Sequence, residues 1–490
     1  MMKNVNRTIL DCYTDEPAGL GVPPYIGTYP RYITGYFFEQ DGIIPEYITI
    51  DDLRLFFSKK KKKETRISQK TDIKTYNLTG DNARTGDVLN KTDELIIIIG
   101  VHTPGKYLSA VPGTLREITP MLKDLKCRKI LTGPVLYGTQ LEGGRFPEKV
   151  PHFVDSIMDS GFDYKSVKRY SLSGAAVLNQ IPDMRIAEIE TAKGCLRNPG
   201  CSFCTEPIKN KVESREIKSI VNEIKALCRY GIKNFRLGKQ SCFYSYPDPI
   251  TLLREIREIS GVDILHIDNV NPTMVITKRG VEITKAIAKY CSDGNIAAFG
   301  VESFDEDVAR ANNLNCTPKT ALRAVEIINK YGNEVGERGL HKFLPGINIL
   351  FGLIDESRKT IDENIKYLSL ILSKGFLLRR INIRQVIPFE GTLLYSKAGN
   401  KFLRKNRKYY WGWRDRIRKE IDLNMLKRVF PIGSILKEVR TEIYDGNTTF
   451  GRQIGTYPII IGIKRRILLK EFVNIKVSGH MLRSITGEPL

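Results

Sequence analysis

The chain has 490 residues, 41% hydrophobic and 27% charged, with 77 Lys+Arg against 55 Asp+Glu and a net charge of +22. That length predicts about three domains, and that composition excludes a fully disordered chain. No apolar run approaches the roughly 18 residues of a membrane helix, and MMKNVNRTILDC at the start is polar where a secretory signal has its apolar core. A cytoplasmic protein with no membrane partner is therefore expected.

Residues 1–185 read as one unit. Thr8–Leu10 is strand-like, and a Gly- and Pro-rich loop follows over Glu16–Pro30. The five lysines of Lys59–Lys63 repel one another, so they and the polar stretch to about Thr92 read as a solvated loop or insertion. Asp93–Gly100 (DELIIIIG) predicts a buried strand, Leu115–Leu125 a helix, and Lys129–Thr132 a strand ahead of Gly133 and Pro134. Strand, helix, strand predicts an open α/β layer.

From Ile186 to Tyr395 the pattern is regular. Strands are predicted over Ala187–Thr191, Asn234–Leu237, Asp263–His266, Ile296–Val301, Gly346–Phe351 and Arg380–Val386. Helices are predicted between them, over Arg215–Tyr230, Ile250–Ile259, Gly280–Tyr290, Thr320–Tyr331 and Thr360–Leu372. Six such alternations predict parallel βα units, too few for an eight-fold barrel. A partial barrel or an open doubly wound sheet fits.

Residues 396–432 are a basic, aromatic connector that holds both tryptophans, Trp411 and Trp413. Its cations and rings suit phosphates and unpaired bases, or its aromatics pack inward. Residues 433–490 predict a small β-barrel, with strands at Ile435–Glu442, Thr448–Thr456, Ile459–Ile463 and Phe472–Ser478. Lys401–Leu490 holds 20 Lys/Arg and 8 Asp/Glu, more than half of the charge excess. Such a concentration points to a polyanion, most often nucleic acid.

Nine cysteines are present, six of them scattered: Cys12, Cys127, Cys228, Cys242, Cys291 and Cys316. The other three lie in AKGCLRNPGCSFCTEP from Ala192, with spacing C-x5-C-x2-C. A close triplet without secretory context points to a metal rather than a disulfide scaffold. It follows the first strand of the regular region, where barrel enzymes keep their chemistry. Three thiolates can hold three corners of an iron–sulfur cubane and leave one iron open. The alternative is zinc, with a fourth ligand such as His266 or Cys242.

The triplet, with Phe203 before Cys204 on the first βα loop, resembles the radical S-adenosylmethionine (SAM) superfamily, whose usual spacing is two residues shorter in the first gap. Other segments resemble the tRNA methylthiotransferases that carry a C-terminal TRAM domain. They are Glu213–Arg215, Leu237–Gln240 (LGKQ), Phe299–Ser303 (FGVES), Asn348–Glu356 (NILFGLIDE), Pro388–Thr392 (PFEGT) and the TRAM-like stretch Thr449–Gly487.

The resemblance implies an α/β chain in three parts: a Rossmann-like N-terminal domain over residues 1–185, a partial (β/α)6 radical SAM barrel over 186–395, and a TRAM-like barrel over 433–490. Cys195, Cys201 and Cys204 would bind a [4Fe-4S] cluster whose open iron takes the amino and carboxylate groups of SAM. A one-electron reductant would drive cleavage to methionine and a 5′-deoxyadenosyl radical, and the substrate would be RNA, tRNA first. Arg215 and Arg384 would meet the SAM carboxylate, and Glu302 and Ser303 its ribose or methionine part. Asp268 and Asn269 would meet ribose hydroxyls, and Gln240 would join the cofactor-binding set. A protein or small-molecule substrate, or a non-catalytic RNA-binding protein with a structural metal, stand as alternatives.

The N-terminal region departs from that family. It holds only Cys12 and Cys127, whereas methylthiotransferases bind a second cluster there through three cysteines, so sulfur insertion by that route is not expected. It more resembles cobalamin-binding-like Rossmann domains, yet no Asp-x-His-x-x-Gly segment is present; the nearest histidine, His102, precedes Thr103 and Pro104. Cobalamin is thus possible but not the favoured ligand; substrate recognition is the competing role.

Overall fold

The computed structural model describes residues 5–12, 25–57, 65–67, 74–76, 82–100, 113–137, 150–181 and 186–490. Lys59–Lys63 and His102 lie outside these. The chain divides into two compact units, residues 1–189 with 215–233, and residues 190–214 with 234–490.

In the first unit, β1 (Arg7–Asp11), β2 (Glu46–Thr49), β3 (Glu94–Ile98), β4 (Arg128–Thr132) and β5 (Ser156–Ile157) form a parallel sheet in the order β2–β1–β3–β4–β5. Leu95, Ile96, Ile97 and Ile98 are all buried, so both faces of β3 are covered. That is why its sequence is a continuous apolar run rather than an alternating one. Leu95 and Ile97 pack with Leu10, Leu53, Leu115, Ile118 and Leu131.

The helices of this unit are α1 (Thr28–Asp41), α2 (Ile50–Phe57), α3 (Asn82–Lys91), α4 (Leu115–Leu122), α5 (Tyr164–Ser173) and α6 (Ile217–Arg229). Two sequence expectations are corrected. The polar stretch before Thr92 ends in α3, where Leu89 supplies a buried anchor within an otherwise polar segment. The Gly- and Pro-rich loop gives way to α1 at Thr28, two residues before Pro30, which sits in the first turn, where its missing N–H costs nothing.

Helix α6 buries Ile220, Val221, Ile224 and Leu227 at three- and four-residue spacing, as expected. Arg215, just before it, is 1% exposed. Its guanidinium ion-pairs with Glu223 and donates to Ser219 Oγ (3.1 Å), Tyr32 Oη (3.2 Å) and Ser171 Oγ (3.2 Å). Glu223 also lies 3.3 Å from the buried Arg31. Arg215 is therefore a hub joining α1, α5 and α6, and its donors are already engaged there. The strand β6 (Ile186–Glu190) pairs in parallel with Tyr25–Ile26.

In the second unit, β7 (Asn234–Gly238) pairs in parallel with β8 (Ile264–Ile267). The strands β9 (Asn295–Glu302), β10 (Phe343–Phe351) and β11 (Arg380–Gln385) form a second parallel set. A bridge between Val270 and Phe299 joins the two. Helices α7 (Pro249–Arg257), α8 (Lys278–Tyr290), α9 (Glu306–Ala311), α10 (Pro318–Gly332) and α11 (Arg358–Ser373) alternate with these strands. The architecture is α/β, with βα units where the periodicity placed them.

The basic connector is helical: α12 (Lys401–Arg416), a π-helical turn (Ile417–Asp422) and α13 (Leu423–Val429). Tyr410 and Trp413 are buried, with ring centroids 5.0 and 5.7 Å from that of Phe351, whereas Trp411 is 67% exposed. One tryptophan thus packs inward and the other faces solvent.

The C-terminal residues close a five-stranded barrel from β12 (Ile435–Asp445), β13 (Thr448–Gln453), β14 (Ile460–Ile463), β15 (Phe472–His480) and β16 (Ser484–Pro489). The fifth strand is unexpected because SITGEP is short and polar, with Ile485 as its one large buried residue. Inside pack Leu436, Val439, Ile461, Ile475 and Ile485, in one cluster with Leu344, Leu377 and Phe430. The barrel and the start of β10 share a core. Among the described residues no helix is long and apolar enough to cross a membrane.

Replacing Arg215 with Met leaves the Glu223 carboxylate buried with Arg31 as its remaining cationic partner. The expected loss is about 3 kcal/mol or more, read from the urea midpoint. Lys285→Met, at an exposed pair with Glu282, is expected to leave the midpoint nearly unchanged. Equal costs would show that the hub carries no special load.

Candidate active site

Cys195, Cys201 and Cys204 lie on the loop after β6, and each side chain is half-buried. The loop has little regular structure, so its shape comes from side-chain hydrogen bonds. Asn313 Nδ2 donates to the carbonyls of Pro199 and Gly200 (2.9 Å to the latter). Ser202 is held at both ends by Asn312, N–H to the carbonyl (2.9 Å) and Oγ to Oδ1 (2.7 Å). The carboxylate of Glu206 accepts from the Gly194 N–H (2.8 Å). Asn312 is itself fixed, since its amide bridges Val308 and Ile354 through their backbones.

Burial pushes the Cys201 thiol up to about 11 and the Cys204 thiol up to about 12. Each also feels the charge of its neighbouring cysteines, so the three sulfurs share one electrostatic environment. Arg197 Nη1 donates to Cys201 Sγ (2.9 Å), and the same guanidinium is anchored on the Asn313 and Leu314 carbonyls. A fixed cation beside a thiol favours its thiolate. Among the described residues no three His, Cys, Asp or Glu side chains surround a point where one ion could sit. A cubane asks for something else, three thiols each on a different iron, and a thiol-only donor set with a neighbouring cation fits that group.

Glu302 ends β9 with φ +63°, beyond a register shift at Gly300. A side chain at Gly300 would stand 3.1 Å from the Glu302 Oε1 atom, so the glycine leaves room for the carboxylate. Among the described residues Glu302 has no side-chain hydrogen bond or ion pair. Burial raises its carboxyl to about 8, and Arg384 at the end of β11 draws it back. Glu302 is also within electrostatic reach of Cys201. Glu356 is likewise pushed to about 8 by burial, while its Oε2 accepts from the Gly352 N–H (2.8 Å).

Of the remaining sequence candidates, all but Arg384 are engaged with the protein. Gln240 accepts from Thr191 Oγ1 (3.1 Å) and donates to the Leu237 carbonyl (3.0 Å). Asn269 Nδ2 donates to the Gln240 carbonyl (3.0 Å), and Ser303 Oγ accepts from the Asp305 N–H (3.2 Å). Asp268 is buried and ion-pairs with Arg236, and Tyr457 Oη donates to it (2.9 Å). Burial alone would raise the Asp268 carboxyl, but Arg236 and Tyr457 hold it below the usual carboxylate value. Arg384 is exposed. Arg215 belongs to the hub of the first unit.

Neither His266 nor Cys242 is open to serve as a fourth zinc ligand. His266 is buried, its Nδ1 accepts from the Thr456 N–H (3.1 Å), and its Nε2 faces the Asp293 carbonyl (3.1 Å). Burial lowers its pKa to about 3, so it is a neutral ring with both nitrogens occupied. Cys242 is buried and accepts from the Asn271 N–H (3.3 Å). Sequence reasoning missed Arg197, Asn312, Asn313 and Tyr457. Arg197 and Phe203 lie inside the cysteine motif, but the asparagines lie more than a hundred residues away, and nothing local marks them.

A family model described as the Radical SAM superfamily matches residues 189–368. An uncharacterized protein of Methanocaldococcus jannaschii is 41% identical over 530 residues, 98% of this chain and 92% of that protein. The ribosomal protein uS12 methylthiotransferase RimO of Clostridium acetobutylicum is 22% identical over 450 residues, 84% of this chain and 93% of that protein. Among solved structures, the apo, selenomethionine-labelled cobalamin-dependent S-adenosylmethionine radical enzyme OxsB superposes with a TM-score of 0.50 at 12% identity. That likeness spans 75% of this chain and 52% of that one, and it is one of fold alone.

The Glu302 carboxyl holds its proton to about pH 8 in the folded chain, whereas an unfolded chain releases it near the ordinary value. Between those values the folded state binds more protons, so stability falls as pH rises. Glu302→Gln removes this contribution. In urea titrations of the metal-free protein, the variant is expected to gain on the wild type steadily from about pH 5 to about pH 8. Parallel curves would show that Glu302 is not raised.

Proposed function

The chain belongs to the radical SAM superfamily and is a radical SAM enzyme, and from that premise we propose that it modifies RNA, tRNA first. The superfamily uses a [4Fe-4S] cluster and SAM. In this reading Cys195, Cys201 and Cys204 hold the cluster. When bound, it supplies the single electron that splits SAM reductively.

The observation that carries the site is Glu302, a carboxylate without a hydrogen-bond partner, within electrostatic reach of Cys201 and Arg384. An unpaired carboxylate is costly unless a ligand supplies a cation or hydroxyl. SAM offers both, in its ammonium and its ribose. Arg384 would receive the SAM carboxylate, since a guanidinium pairs well with that group. Arg197 would offset the negative charge of the thiolates. Asp268, Asn269, Gln240 and Ser303, tied to their neighbours, would shape the wall beside the cofactor.

The domain boundaries proposed are 1–185, 186–395, 396–432 and 433–490. The sheet order β2–β1–β3–β4–β5 supports a Rossmann-like assignment for the first, because it is the flavodoxin-type doubly wound order. The closed five-stranded barrel and its basic surroundings support a TRAM-like, RNA-binding role for the last. The setting is cytoplasmic, and a one-electron reductant is the second partner. No step calls on cobalamin.

A second reading has its own support. RimO is named for a ribosomal protein, so a protein substrate is the competitor to RNA. The test is anaerobic. Protein reconstituted with iron and sulfide is incubated with reductant, SAM and either total tRNA or ribosomal proteins, and both are digested for mass spectrometry. A new nucleoside in tRNA, absent with Cys201→Ala, is the expected result. A modified peptide with unchanged tRNA would overturn RNA in favour of protein. The Cys→Ala variants are expected to lose most of the roughly four irons per chain that a cubane contributes.

A further inference from the structure

Five arginines meet where β11, α12, the π-helical turn and the β15–β16 turn come together. Arg379 and Arg380 stand at the start of β11, Arg414 lies on α12, Arg418 on the π-helical turn, and Arg483 on the β15–β16 turn. Asp422 is the acid beside Arg379, Arg380, Arg418 and Arg483, and it is ion-paired to Arg418; Arg380 also feels Asp268. Arg379 donates to the Tyr457 carbonyl (3.0 Å), and Arg380 lies over the Tyr457 ring at 4.5 Å. Among the described residues, neither Arg380 nor Arg483 makes a side-chain hydrogen bond or ion pair. Arg418 donates to the Ile381 carbonyl (2.8 Å), but its Nε is buried without a partner.

Such a cluster is under-neutralised. Burial, with the charges of Arg380 and Arg483, holds Arg379 down to about 10, and Arg418, Arg380 and Arg414 crowd the Arg483 guanidinium. Like charges gathered around one carboxylate repel, and a bound anion relieves that repulsion. The site is reachable, since Arg483 is exposed and Arg379 and Arg380 are half-buried. Arginine forks match phosphate oxygens two at a time. Beside the cluster, Arg414 stacks on Trp411 at 5.2 Å, and that indole is 67% exposed. An open ring next to a phosphate site is the arrangement that binds an unpaired base together with its backbone.

We propose that Arg379, Arg380, Arg414, Arg418 and Arg483 bind backbone phosphates of single-stranded RNA, with Trp411 as the platform for an adjacent base. This deepens the RNA reading and rests on it. The other end of β11 carries Arg384, roughly 13 Å along the strand at about 3.3 Å per residue. RNA gripped at the start of the strand can therefore extend toward the Glu302 end.

The test is a salt titration of binding, using the full-length reconstituted protein and a fluorescent single-stranded RNA of about 12 nucleotides. Arg414→Gln combined with Arg483→Gln removes two reachable cations and leaves the buried ones. Each lost phosphate contact is expected to reduce the slope of log K against log salt by about 0.7. The double variant should therefore lose about 1.4 in slope and bind roughly 25-fold more weakly near 0.1 M salt. Trp411→Ala should weaken binding and leave the slope unchanged. Lys319→Gln with Lys330→Gln, on exposed α10 positions, serves as the control and should match the wild type. If the wild type binds and the Arg414/Arg483 variant keeps its slope, the site is wrong and the RNA reading stands. If the wild type does not bind RNA even at low salt, the RNA reading fails and takes the site with it.

Discussion

The cysteine triplet sits on a loop that cannot hold itself. The segment from Gly194 to Cys204 has too few backbone hydrogen bonds to fix three sulfurs. Its carbonyls and hydroxyl are gripped by Asn312 and Asn313, which end the helix that follows β9. The same strand ends in Glu302. One strand–helix connection thus sets both the shape of the thiol loop and the place of the unpaired carboxylate. A shift of β9 would move both together, which suits a site where thiols and carboxylate must serve a single bound cofactor.

The small barrel is bound into the second unit in a way its sequence hides. Thr456 and Tyr457, between β13 and β14, bond His266 on β8 and Asp268 just past its end. Leu344 and Leu377 share the barrel's apolar cluster. Without the barrel, Asp268 would lose a hydrogen bond, His266 a donor, and several leucines their cover. The barrel is therefore part of the structure that shapes the strand ends, as well as a basic surface facing outward.

Much of this architecture is legible in the sequence. Runs such as DELIIIIG and the spacing of Ile220, Ile224 and Leu227 state their burial directly, because a covered strand and a one-faced helix require those patterns. The cysteine triplet was legible for the same reason, as its spacing is local. What was hidden was set by distant partners. Arg215 sits beside the cysteine loop in sequence, in a segment resembling a family motif, yet its guanidinium joins Glu223, Tyr32 and Ser171. Asp268 reads as an open ligand until Arg236 and Tyr457 occupy it. Leu89 and the adjoining Val88 carry the apolar packing of α3, too weak a signal in a polar stretch. Trp411 and Trp413 look alike in sequence, but two residues apart on a helix they face different ways.

In the proposed reading, Cys195, Cys201 and Cys204 present a cluster with one open iron beside Glu302. Electron paramagnetic resonance of the reduced, reconstituted protein, recorded with and without SAM, addresses it directly. The expected result is a reduced-cluster signal whose shape changes when SAM is added, no such signal with all three cysteines changed to Ala, and a weakened SAM response in Glu302→Gln. A full cluster whose spectrum ignores SAM, or a metal content of one zinc per chain, would contradict it.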